Sequence, residues 1–201
     1  MRSVRPSITK IRLLLVLGTS LMTMVSISSQ AESNKKTAER IDNQLMRTVV
    51  LVRHAEKHQD GTRDPQLSAA GEQRAQALVT ALTEIDLSQL IASDYQRTQL
   101  TIAPLATQLG IPITIATTKA GIDAHISEIV TLVNKHNGSS LIAGHSNTVP
   151  MLVTALGGPS IATIVEDEYG ALYLLSITQD GKVDLKISHY GKPSSQKKGD
   201  L

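Results

Sequence analysis

The sequence has no cysteine, no tryptophan and no phenylalanine, and its four tyrosines are its only aromatic residues apart from histidine. Without thiols there is no disulfide framework, no thiolate nucleophile and no thiolate-ligated zinc. The core has to be built from Leu, Ile, Val and Ala. Stacking platforms of the kind that grip single-stranded nucleic acid are not expected. Charge of one sign is also scarce: 20 Lys and Arg stand against 18 Asp and Glu in 201 residues, a net charge of +2. That balance asks for no nucleic-acid partner.

The chain has one long apolar run, LLLVLGTSLMTMVSI, roughly 15 residues and short of the ~20 that a membrane-spanning helix needs. Arg2, Arg5, Lys10 and Arg12 precede it without an acid, and SSQAES follows. This is the order of a secretory signal, with Ser29 and Ala31 at the −3 and −1 positions. The expected organisation is a signal peptide over 1–31 cleaved after Ala31, a polar linker over 32–47, a catalytic domain over 48–191 and a frayed polar tail over 192–201. The expected location is the periplasm or the exterior, with no membrane contact once the signal is removed.

From Thr48 onward strand and helix patterns alternate. TVVLVR (48–53) reads as a strand, and 67–85 as a helix with Ser68 as its N-cap. Residues 87–93 form the next strand. The helix over 94–110 carries Pro104 as a kink or break. A strand over 111–117, a helix over 122–138, a strand over 139–146 and a helix over 147–158 follow. Two strands fill 171–190 around the hairpin signal Asp180-Gly181. The order predicts an α/β fold: a three-layer α/β/α sandwich with a mostly parallel central sheet and a C-terminal hairpin.

In open α/β sheets, ligands bind outside the carboxyl ends of the strands. Polar packets fall at that edge: Arg53-His54, Ser93 with Arg97 and Thr98, Gly144-His145-Ser146, and Asn147-Thr148. Two arginines, two histidines and helix N-termini in one crevice suit a phosphoryl group, because the guanidinium fork pairs with phosphate oxygens and helix starts offer N–H donors. His54 is open to three readings: base, metal ligand or nucleophile. Arg beside each histidine argues against a divalent cation, and GHSNT lacks the G-x-S-x-G elbow of a serine hydrolase. His58, His125, His136 and His189 read as surface or structural residues. Arg74 reads as solvated, and VEDEYG (165–170) as a solvated approach to the next strand.

Taken in order, LVRHAEK, LSAAGEQRA, SDYQRT and LIAGHSNT resemble the histidine phosphatase superfamily, which includes the phosphoglycerate mutases. The resemblance runs from about Thr48 to Tyr190. It implies that His54 becomes phosphorylated, that Arg53 and Arg97 hold the phosphate, and that His145 binds phosphate and transition state. It implies a metal-independent phosphatase without a cofactor, acting on a small phosphorylated molecule. Many members carry an acid between the second Arg and the second His; here Asp123 is the first choice and Glu128 the second. Glu56 reads as an ion-pair partner of Lys57 or Arg74. Three readings remain: a phosphomonoesterase, a protein phosphohistidine phosphatase, or a non-catalytic phospholigand binder.

Overall fold

The computed structural model describes Gln30, Ser33 and residues 45–194, with side chains in the sheet domain from residue 47 onward. The expected signal segment, most of the linker and the tail beyond 194 lie outside the described residues. The chain divides into two compact units, Met1–Asn43 and Gln44–Leu201, and the second holds every element below. These are β1 (Leu45–Arg53), α1 (Ala69–Ala81), β2 (Leu87–Ser93), α2 (Gln96–Leu109), β3 (Ile113–Ala116), α3 (Ile122–Lys135), β4 (Ser139–Gly144), α4 (Thr148–Ala155), β5 (Ala171–Thr178) and β6 (Val183–His189).

The six strands form one sheet in the order β3-β2-β4-β1-β5-β6. Pairings from β3 through β1 are parallel, and β5 and β6 are antiparallel. The register sets Arg53 opposite Gly144, so the residues following β1 and β4, His54 and His145, emerge side by side. Strand alternation divides the core between two faces. Val49, Leu51, Ile91 and Ile142 pack with Ile126, Ile129, Val149 and Leu152 of α3 and α4. Val50, Val52, Leu90 and Leu141 pack with Leu78, Ile102 and Leu105 of α1 and α2. β1 therefore reads as a continuous apolar run because both its faces are covered. This is the expected α/β/α layering.

The boundaries shift in ways that have local causes. β1 begins at Leu45, inside the expected linker, because it pairs with the long β5. Ser68 caps α1 by accepting from the Gly71 amide. α2 runs unbroken through Pro104, where a kink was expected; Ile102 and Leu105, both buried, hold that turn against the sheet. α3 stops at Lys135, and Asn137-Gly138 bends the chain into β4. Gly181 (φ 79°) makes the hairpin turn.

Arg74 is not solvated. It shares a helical stripe with Gly71 and Leu78 and is buried. Its Nε and Nη2 donate to Glu56 at 2.8 and 2.7 Å, Nη1 donates to the Tyr190 carbonyl, and Nη2 also donates to the Lys192 carbonyl. Burial raises the Glu56 carboxyl, but Arg74's hydrogen bonds, a backbone bond and the charges of Arg74 and Arg53 together leave the group below its ordinary value. Glu56 is thus a structural ion-pair partner that pins the loop after His54. Gly71 lets α1 approach this loop: a Cβ there would collide with the Glu56 carbonyl oxygen. The start of the expected frayed tail is docked as well, with Ser194 Oγ bonded to the backbone of Tyr169.

Candidate active site

His54 follows the last residue of β1, and its amide donates to the Gly144 carbonyl at 2.9 Å. Its Nδ1 lies 2.8 Å from the Ala55 carbonyl, which can only accept, so Nδ1 carries the proton and Nε2 the lone pair. Burial first, then His145, Arg53 and Arg97, pull its pKa down to about 3, against a single opposing effect from the Ala55 bond. The ring is therefore neutral at ordinary pH, with the Nε2 lone pair free. Thr101 Oγ1 accepts from the Ala55 amide and donates to the Arg97 carbonyl, tying this turn to α2.

The His145 ring stands 5.5 Å from that of His54, edge to face. Thr148 Oγ1 fixes its backbone by accepting from the His145 amide. Ser93 Oγ lies 3.0 Å from Nε2, and Arg97 Nη2 lies 3.4 Å from Nδ1. A guanidinium can only donate, so Nδ1 carries the lone pair and Nε2–H donates to Ser93. Burial and the Arg97 charge lower its pKa to about 3. Ser93 bonds in turn with Thr98 Oγ1, 2.8 Å away in the first turn of α2.

The two arginines are held differently. Arg53 is 3% exposed; its Nη1 donates to the carbonyls of Val165 and Glu168, and its Nη2 to Glu166 Oε2. The 165–168 segment is therefore part of the site, not a solvated approach to β5. Its contact with Arg53 spans more than 110 residues, which no local pattern encodes. Arg97 reaches Asp64 only at 3.7 Å. Burial lowers its pKa, with Asp64 the chief opposing influence. In both arginines Nε is buried and has no acceptor. Arg47 Nε, bonded elsewhere to the end of α3, is left the same way, so the site-specific feature is that Arg97 lines the cleft with no close acidic partner, and an anion would complete it.

His54, Arg97 and His145 line one cleft of about 680 Å³, with Lys57, Arg63 and Lys119 also on its wall. His125 lines it too and is 1% exposed, bonded through Nδ1 to the Thr117 carbonyl; of the expected surface or structural role, its burial excludes the first. His58 and His189 are exposed, and His136 is half-buried against Ser88. Neither acid candidate reaches this wall. Asp123 is exposed and lines a separate groove between α3 and α4, and Glu128 accepts from the Thr117 amide. The carboxylates on the cleft wall are Asp64, Asp94 and Glu166. Burial raises Asp94, but the hydroxyl and amide of Thr118 and the Thr117 hydroxyl more than offset this and hold it ionised. Among the described residues, no group of three or more His, Cys, Asp or Glu is placed to hold a metal.

The parallel strands of a mixed sheet thus bring two neutral histidines and two arginines together at their carboxyl edge, an α/β arrangement suited to a phosphoryl group. Residues 49–124 match the model of the histidine phosphatase superfamily (branch 1). No curated protein matches the chain. Solved structures share the fold. The protein histidine phosphatase SixA complexed with tungstate is 17% identical, over 71% of this chain and 96% of that one, with a TM-score of 0.56. A putative α-ribazole-5′-P phosphatase from Escherichia coli is 18% identical over 71% and 96%, TM-score 0.57. A mycobacterial glucosyl-3-phosphoglycerate phosphatase in complex with VO3 is 16% identical over 72% and 100%, TM-score 0.56.

Proposed function

We propose that the protein is a phosphatase that hydrolyses phosphomonoesters through a phosphohistidine on His54. The observation that carries this reading is the neutral His54 ring, its Nδ1–H engaged by Ala55 and its Nε2 free, beside Arg97, which lines the cleft with no close acidic partner. The Nε2 lone pair forms a bond to phosphorus as the bond to the leaving oxygen breaks. Arg53, Arg97 and His145 stabilise the charge on the equatorial oxygens. A water oxygen then attacks phosphorus, the N–P bond breaks, phosphate departs, and His54 recovers its lone pair.

The leaving oxygen needs a proton. Neither Asp123 nor Glu128 lines the cleft; the carboxyls placed to pass it a proton from water are Asp64, Asp94 and Glu166, and a leaving group that departs readily needs none of them. Such a leaving group defines a second reading, hydrolysis of phosphoramidates, including protein phosphohistidine. The N-terminal signal pattern supports export, and thus a small phosphorylated substrate in the periplasm or outside the cell.

A panel of phosphomonoesters and phosphoramidates, assayed with and without chelator, tests the reading. Turnover of esters that persists in chelator is expected. Abolition by chelator would refute the metal-independent mechanism. Activity on phosphoramidates alone would select the second reading, and oxyanion binding without turnover would make the protein a phospholigand binder.

A further inference from the structure

Two of the chain's four tyrosines stand at this site, one for each arginine. The Arg53 guanidinium lies over the Tyr169 ring, 4.3 Å from its centroid, and the Arg97 guanidinium lies over the Tyr95 ring at 4.2 Å. Each tyrosine also borders one histidine. Tyr169 is 6.2 Å from the His54 ring, and Tyr95 meets the His145 ring edge to face at 5.2 Å. Each is pinned by a serine: Ser93 Oγ accepts from the Tyr95 amide, while Ser194 Oγ accepts from the Tyr169 amide and donates to its carbonyl.

We infer that Tyr95 is a positioning residue that covers one face of the Arg97 guanidinium and leaves its N–H edge to the phosphoryl group, while Tyr169 braces Arg53, which stands behind the cleft wall, in the same manner. The inference rests on the phosphatase reading and deepens it. A guanidinium binds anions with in-plane N–H groups and aromatic rings with its face, so one cation serves both partners at once. The two tyrosines do not carry equal weight. Arg53 is also anchored by two carbonyls and Glu166. Arg97 has only a carboxylate at 3.7 Å and a histidine nitrogen at 3.4 Å besides its ring. Tyr95 therefore fixes its arginine more than Tyr169 does. It also touches His145, so its loss disturbs two phosphate ligands.

The test compares Tyr95→Leu, Tyr95→Phe, Tyr169→Leu and Tyr169→Phe in the full protein. It reads tungstate affinity by calorimetry, kcat and KM on a phosphomonoester, and melting temperature. Both Phe variants keep the ring face and should bind tungstate within about twofold of the parent. Tyr95→Leu should weaken tungstate roughly tenfold, the range of a desolvated cation–π contact, and Tyr169→Leu by about two- to threefold. Phe variants as impaired as the Leu variants would assign the effect to the hydroxyls and overturn the inference. So would Leu variants that bind tungstate like the parent, or a parent that binds none. A parent that binds tungstate but turns over no ester overturns the phosphomonoesterase reading alone, since tungstate affinity still reports on the tyrosines.

Discussion

The site has a tight half and a loose half. At the end of β1, Arg53 is nearly sealed and bonded to three acceptors of the 165–168 segment, and His54 is locked by its own turn. At the ends of β2 and β4, Arg97 and His145 lean on one another at 3.4 Å, and Asp64 stands off at 3.7 Å. The His54 half is preorganised by the fold. The other half is assembled from two helix starts and is left with cationic capacity that an anion would complete. Catalysis by electrostatic stabilisation needs both: fixed geometry at the attacking atom and unspent donors where charge develops.

Replacing the two arginines breaks the comparison most directly. Arg97→Ala should lower kcat/KM by ~10²–10³, the scale of one lost transition-state donor, with little change in melting temperature. Arg53→Ala should cost comparable activity and also lower the melting temperature, because it strands the Val165 and Glu168 carbonyls. Equal melting temperatures for the two variants would contradict the division into halves. Activity assays paired with thermal melts decide this.

The tight half depends on the Glu56–Arg74 pair behind it. Arg74→Ala should destabilise the protein by ~3–5 kcal/mol in urea unfolding, since it leaves a part-buried carboxylate and two carbonyls unpaired. A loss below ~1 kcal/mol would mean that this clamp does not hold the loop.

Both histidines are held neutral, with pKa values lowered to about 3 from 6.5. Between those values the unfolded chain binds protons that the folded chain refuses, so stability falls as pH drops from about 6.5 toward 3 and gains nothing from these groups above 6.5. Urea unfolding at pH 7 and pH 5 should show the decline, and His54→Asn combined with His145→Asn should make it shallower. An unchanged slope in the double variant would show that neither ring is held neutral.

The smallest expected effect concerns Glu166, whose carboxylate rests on Arg53 at 3.0 Å yet is 68% exposed. It occupies a donor that a phosphate oxygen also seeks. Glu166→Gln should lower the inhibition constant for inorganic phosphate by about two- to fivefold, the range of an exposed ion pair. A weaker grip on phosphate in this variant would instead make Glu166 a support for Arg53.

Much of this was legible in the sequence for a physical reason. Strand and helix periodicities are local, and His54, Arg97 and His145 each sit where a strand ends or a helix starts, so the sheet's topology alone gathers them. The Glu56–Arg74 pair was named as one option, but the burial of Arg74, the docking of Tyr169 and the grip of the 165–168 segment on Arg53 were not legible, because they rest on partners 18 to 118 residues away. Arg74 left a trace in its stripe with Gly71 and Leu78. Tyr95 left another, lying two residues before Arg97 in a chain with almost no aromatics. Asp123 was favoured for its nearness to the strand end, but the helix turns it to the groove between α3 and α4, while His125 two residues on lines the cleft.

The central claim is that His54 carries the phosphoryl group. Purified protein mixed with a saturating phosphomonoester, quenched in alkali to preserve phosphoramidate, and mapped by mass spectrometry should carry one phosphoryl group on the peptide containing His54, and none in His54→Ala. An adduct on His145, or steady turnover by His54→Ala, would contradict the account.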